Sequence, residues 1–129
     1  MHVVTDTHPW VWFLTGNSRL SPKANAALAD SSNLIIIPSI VMMEIRYLYQ
    51  HKRITLSFEE TLQKVESCAN ILIFPLDISV VTLSPTSLDI HDAIIVGTAL
   101  QSSEELGQPS SLITIDKAIT ESRLVPIIW

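Results

Sequence analysis

The chain has 129 residues, 47% apolar and 16% charged, with only three Gly and seven Pro. Those figures exclude disordered, collagen-like and coiled-coil classes and fit a single domain, residues 1–129, able to bury a core of its own. A net charge of −5 argues against a nucleic-acid partner, unless some of the thirteen acids hold divalent cations.

Cys68 is the single cysteine, which rules out an internal disulfide framework and a Cys-rich zinc site. Mean hydropathy is high, at +0.35. Yet the longest apolar stretch, Leu34 to Met43, is broken by Pro38 and Ser39. It is far short of the roughly 20 residues that a bilayer requires. The opening MHVVTDTHPW has no basic region and does not read as a signal peptide. A cytoplasmic protein without a membrane partner is expected.

In chain order, His2 to Thr5 is a short strand ending at Asp6. Pro9 then enters the first turn of an aromatic-rich helix that stops at Gly16. Ser21-Pro22 opens a second helix. Leu34 to Ile37 is a continuous aliphatic run, the pattern of a strand buried on both faces. Ser39 is expected to cap the next helix, which runs to about Gln50. Ser57 to Glu60 is a capping box, and behind it Phe58, Leu62, Val65 and Ala69 recur at helical spacing. Ile71 to Phe74 reads as a strand, Asp89 to Leu100 as a helix, and Ser111 to Ile115 and Val125 to Trp129 as the last strands. Strands alternating with helices imply a mostly parallel sheet covered on both faces, with its ligand site beyond the carboxyl ends of the strands.

Four carboxylates stand out against that frame. Glu44 has Ile40, Val41, Tyr47 and Leu48 at helical neighbour positions, so it interrupts an apolar face. A carboxylate buried there pairs with an Arg, projects to solvent with its helix, or binds metal. Asp92 repeats the pattern ahead of Ile95 and Val96, although an acid at a helix start also complements the dipole, with Asp89 as N-cap. Asp6 and Asp116 each end an apolar strand, where Asp also serves as a helix cap. Thr114 lies two residues before Asp116, on the same side of its strand. Four acids converging at one sheet end repel unless a cation neutralises them. Oxygen-only ligands select Mg²⁺ or Mn²⁺, one or two ions, and such a site suits phosphodiester hydrolysis.

Other residues carry weaker signals. His8 stands near Asp6, and His91 beside Asp92 is placed to shuttle protons or contact phosphate. Trp10, Trp12 and Phe13 read as core. Arg46, His51, Lys52 and Arg53 form one basic cluster, either a solvated helix end or a phosphate contact. The helix around Glu44 is apolar nearly all round, through Met42, Met43, Ile45, Tyr47, Leu48 and Tyr49, so a partner is expected to cover part of it.

The same positions carry a resemblance. VVTDTHPWVWFLTG resembles the opening of PIN-domain proteins, and most closely of VapC-type toxins. PSIVMMEI, LDIHDAIIVGTAL and LITIDKAI resemble the later motifs, and VPIIW the closing strand. No single motif is specific, but the ordered set spans nearly the whole chain. The resemblance implies a three-layer α/β/α sandwich and an Mg²⁺-dependent endoribonuclease acting on single-stranded or structured RNA. It also implies a homodimer and a cognate antitoxin. It makes Asp6, Glu44, Asp92 and Asp116 the catalytic, metal-binding acids, with Asp89 and Thr114 auxiliary.

Three departures are visible. Ala93 stands where Arg is common, Lys52 where Gly is common in a turn, and the stretch between Pro75 and Asp89 is short, so that a reduced helix is expected there. Two rival functions differ in class. A metal-dependent phosphatase of the haloacid-dehalogenase type needs Asp-x-Asp after the first strand, where this chain has Asp6-Thr7-His8. A non-catalytic PIN-type binding or regulatory module needs no acids, and here all four are present.

Overall fold

Strands and helices alternate from the first residue. β1 (His2–Thr5) leads into α1 (Thr7–Thr15), and α2 (Pro22–Ala29) precedes β2 (Leu34–Pro38). Next come α3 (Ser39–Gln50), α4 (Phe58–Ser67) and β3 (Ile71–Phe74). α5 (Ile78–Leu83) and α6 (Ile90–Leu106) lead to β4 (Ser110–Ile113), then α7 (Lys117–Ser122) to β5 (Ile127–Ile128). In this computed structural model, which describes residues 1–129, the strands form one sheet in the order β3-β2-β1-β4-β5. Every pair is parallel, so the sheet expected to be mostly parallel is wholly so.

Consecutive strand residues point to opposite faces. Val3 and Val4, Ile35 to Ile37, and Leu112 and Ile113 are all buried, so helices cover both faces and the fold is an α/β/α sandwich. One cluster of 26 buried apolar residues forms the core. Each of its buried Val, Leu, Ile, Met and Phe side chains contributes roughly 1.5–3 kcal/mol. The chain runs outward from β1 to β2 and β3, then returns to place β4 on the other side of β1. The crevice beyond the carboxyl ends of β1 and β4 is therefore the switch point of the sheet.

Local signals position the elements around that crevice. Asp6 caps α1, and Gly16 ends it at φ +65°, a conformation costly for any residue with a Cβ. Ser57 and Glu60 form the capping box of α4. Ser39, expected as a cap, is instead the first residue of α3: Pro38 ends its strand and passes directly into the helix with no side-chain cap. The Ser39 hydroxyl accepts from the Leu76 N–H at 3.0 Å and ties down the chain after β3.

Ala69 falls beyond the end of α4, where the chain turns at Cys68 toward β3. β4 begins at Ser110 and ends at Ile113, since Thr114 turns its hydroxyl to the site instead of extending the ladder. β5 keeps only Ile127 and Ile128, which pair with Leu112 and Ile113 of β4, its single neighbour. α6 continues six residues past Leu100, to Leu106. The short stretch after Pro75 holds the six-residue α5, the reduced helix expected there. Lys52 has φ +58°, so a lysine occupies a left-handed turn position that favours glycine.

Candidate active site

Asp6 follows β1 directly, and Thr114 and Asp116 follow β4, so the two adjacent strands deliver these residues to the crevice. The Asp6 N–H donates to the Ile113 carbonyl at 3.0 Å, which continues the β1–β4 pairing to the rim. Asp6 Oδ1 accepts from the Thr7 N–H at 2.7 Å, and Oδ2 accepts from the Thr114 hydroxyl at 2.7 Å. Thr114 Oγ1 in turn accepts from the Asp116 N–H at 3.0 Å. One buried hydroxyl thus locks both acids. Asp116 Oδ1 accepts from the Ile119 N–H at 2.8 Å and caps α7. The capping role open for Asp6 and Asp116 in the sequence is real for both.

Glu44 comes from the middle of α3, after β2. No Arg pairs with it. Its Oε1 is buried without a hydrogen-bond partner. His91 Nδ1 lies 3.9 Å away, on a side chain 58% exposed, and forms an ion pair only when the imidazole is protonated. The hydroxyl of Thr7 lies beside the Glu44 carboxylate without completing a hydrogen bond, and is itself buried and unpartnered. Thr7 is the site residue that sequence reasoning passed over. Its position directly after Asp6, in a helix's first turn, was the available signal.

Asp92 sits in the first turn of α6. Asp89 occupies the N-cap position but makes no cap hydrogen bond and is exposed.

The electrostatics join these acids. Burial raises the Asp6 carboxyl above its ordinary value, and Asp116 adds to the rise, against the hydrogen bonds from Thr114 and Thr7 and the charge of His8. Burial raises Glu44, and the charges of Asp6 and Asp92 push the same way, with His91 opposing. Burial raises Asp92, reinforced by Asp116, Asp6 and Asp89. Asp6 thus feels the charge of Asp116, Asp92 those of Asp116 and Asp6, and Glu44 those of Asp6 and Asp92. No three His, Cys, Asp or Glu side chains, as placed, are close enough to share a single ion.

Oxygen donors alone, mutual repulsion and an orphaned buried Glu44 oxygen fit a hard divalent cation. A cation there would neutralise charges that the protein leaves uncompensated. At the edge of this site α3 exposes Met43 and Tyr47, which line a cavity with Glu44 and His91; Tyr49 is exposed on the same helix. Tyr47 stacks on His51 with ring centroids 3.9 Å apart. Trp10 and Trp12 are buried core residues, as expected.

No helix is long and apolar enough to cross a membrane. Among solved structures, the fold is similar to that of VapBC2 from Rickettsia felis bound to a DNA fragment from their promoter. The TM-score is 0.66 at 14% identity, over 98% of this chain and 97% of that one. No curated protein matches the sequence. Residues 3–121 match the PIN domain, and the chain belongs to the PIN domain family.

Proposed function

We propose that this chain is an Mg²⁺- or Mn²⁺-dependent endoribonuclease, the toxin of a toxin–antitoxin pair, with Asp6, Glu44, Asp92 and Asp116 holding one or two ions. The carrying observation is Glu44, whose buried oxygen has no hydrogen-bond partner and which faces the charges of Asp6 and Asp92 with only the exposed His91 to oppose them. PIN domains are generally nucleases, and the VapBC2 complex supports an antitoxin partner. A cytoplasmic location and a homodimer joined through the exposed face of α3 belong to the same reading.

When bound, a divalent cation lowers the pKa of water and neutralises charge on the phosphodiester. The residues of the chain do the rest. Thr114 holds the Asp6 carboxylate, and the Thr7 N–H fixes its second oxygen. Asp116 is held beside it by the bond from the Ile119 N–H to its carboxylate. Asp89 adds negative charge beside Asp92, which strengthens cation binding. His91 is exposed on the solvent side of Glu44, where its ring N–H can donate to a phosphate oxygen.

A purely structural role for the acids is the competing reading, favoured by the helix caps that Asp6 and Asp116 make. The test is incubation of end-labelled single-stranded RNA with the purified chain in Mg²⁺, in Mn²⁺ and in EDTA, beside Asp92→Asn. Cleavage that needs metal and Asp92 and leaves 5′-phosphate and 3′-hydroxyl ends is expected. Cyclic 2′,3′-phosphate ends, activity in EDTA, or equal activity of Asp92→Asn would overturn the reading.

A further inference from the structure

Of the basic cluster singled out in the sequence, Arg53 alone lines a groove that it shares with a cation from elsewhere, Arg19. A groove of about 440 Å³ lies between α1 with its exit and the segment 53–55, lined by His8, Trp12, Asn17, Arg19, Arg53 and Thr55 among others. No carboxylate lines it. Neither Arg19 nor Arg53 forms an ion pair, since the chain's pairs are His91–Glu44 and Lys117–Glu121. With thirteen acids against eight Lys and Arg, two guanidiniums free of carboxylates on one groove call for an anion.

The backbone on each side is fixed although both arginines are exposed. Asn17 Oδ1 accepts from the Arg19 N–H at 2.9 Å. The Arg53 N–H donates to the Leu48 carbonyl at 2.9 Å, in the turn where Lys52 takes its left-handed conformation. Val11 and Trp12, both buried, form the floor. The groove adjoins the acids: Asp6 is the N-cap of α1, and His8, in the same first turn, is already on the groove wall.

Resting on the nuclease reading, we propose that this groove binds the backbone phosphates of the RNA strand that flank the scissile one, with Arg19 and Arg53 as the contacting cations. Cavities of this size suit roughly one nucleotide-sized ligand. Guanidinium forks recognise phosphate in two-pronged fashion, and such contacts set the register of a strand without reading its bases. The acids would then act on a phosphate whose neighbour is already anchored, so a protein with a net charge of −5 needs no broad basic face to hold RNA.

The test is fluorescence anisotropy of a labelled single-stranded RNA 12-mer in Ca²⁺ buffer across a salt series, the RNA being checked intact afterwards. Proteins are the wild type, Arg19→Ala, Arg53→Ala, the double variant, and Arg53→Lys, with Lys23→Ala as a charge-loss control. Each alanine variant is expected to weaken binding about tenfold. Each should also flatten the slope of log K against log salt by roughly 0.7, one phosphate contact on a single strand. Arg53→Lys should restore the slope but only part of the affinity, Lys23→Ala should match the wild type, and no melting temperature should move. Wild-type affinity and slope in both single alanine variants would overturn the proposal while leaving the nuclease reading intact. A wild-type chain that neither binds nor cleaves RNA would overturn both.

Discussion

Thr114→Val removes one oxygen from the rim and leaves shape nearly unchanged. The threonine hydroxyl makes two hydrogen bonds, to Asp6 Oδ2 at 2.7 Å and from the Asp116 N–H at 3.0 Å. The first involves a carboxylate, a class worth roughly 1.5–3 kcal/mol. The second leaves a backbone donor beside a half-exposed residue, so its loss costs about 1 kcal/mol. Together the substitution should destabilise the fold by about 2–4 kcal/mol. At this chain length, roughly 4 °C per kcal/mol, the melting temperature should fall by about 8–16 °C.

The carboxyl of Asp6, already raised by burial, also loses the largest influence holding it down, so Mn²⁺ affinity should fall with stability. Thr114→Ser keeps the oxygen and loses only a buried methyl, about 1 kcal/mol. The measurement is thermal unfolding of all three proteins, with Mn²⁺ titration calorimetry. A Thr114→Val protein within about 1 kcal/mol of the wild type, or no more perturbed than Thr114→Ser, would show that the hydroxyl does not hold the two acids together.

A Cβ at Gly97 would overlap Ser84 Oγ and approach the Val80 carbonyl at 2.9 Å and Ser84 Cα at 3.0 Å, so α5 must move off α6. Gly97→Ala should cost about 1–2 kcal/mol net of its gain in helix propensity, read as a lower melting temperature. In EDTA, burial and mutual repulsion raise Asp6, Glu44 and Asp92 above their ordinary values of 3.8, 4.5 and 3.8. Above those values the folded state binds more protons than the unfolded one, so melting temperature should fall as pH climbs from about 4 through the raised folded values; a rise over that window would contradict the electrostatic account. Met43→Glu and Tyr47→Glu place charge on side chains 51% and 49% exposed on α3, and each should convert the proposed dimer to a monomer in light scattering, whereas a wild type already monomeric would remove the dimer proposal.

The sheet was legible because aliphatic runs such as Leu34 to Ile37 have one physical use in a chain of alternating elements. The capping box at Ser57 and the stop at Gly16 were legible because local chemistry decides them. Ser39 was misread because a cap needs an extended residue with a free side chain, and the tertiary contact with Leu76 claimed its oxygen. The acids could be picked out singly, as carboxylates at strand ends or within apolar faces. Their linkage through one threonine could not, since Thr114 and Asp6 are 108 residues apart and only the pairing of β1 with β4 brings them together. Arg53 stood out in the sequence as part of a basic cluster, but its sharing a groove with Arg19 was hidden, because a groove between α1 and the segment 53–55 leaves no periodic trace.

The fold compensates the four acids unequally, and this yields a last prediction. Asp6 and Asp116 cap α1 and α7, and Asp92 lies in the first turn of α6. Each therefore has backbone N–H groups and the positive end of a helix beside its charge. Glu44 has neither, because it lies midway along α3, where the backbone donors are already bonded within the helix. It is also the acid left with a buried, unpartnered oxygen. Removing its charge relieves repulsion and breaks no cap, so Glu44→Gln should melt higher than the wild type in EDTA. Asp6→Asn keeps a capping oxygen but turns an amide toward Thr114 or Thr7, and should melt no higher than the wild type. Added Mg²⁺ should reverse the order. At a hundredfold excess over its dissociation constant a ligand adds about 2.7 kcal/mol to the protein that binds it, and Glu44→Gln should gain almost none of that. If Glu44→Gln melted below the wild type in EDTA and still rose with Mg²⁺, Glu44 would be held by partners other than a cation, and the central observation behind the metal site would fail.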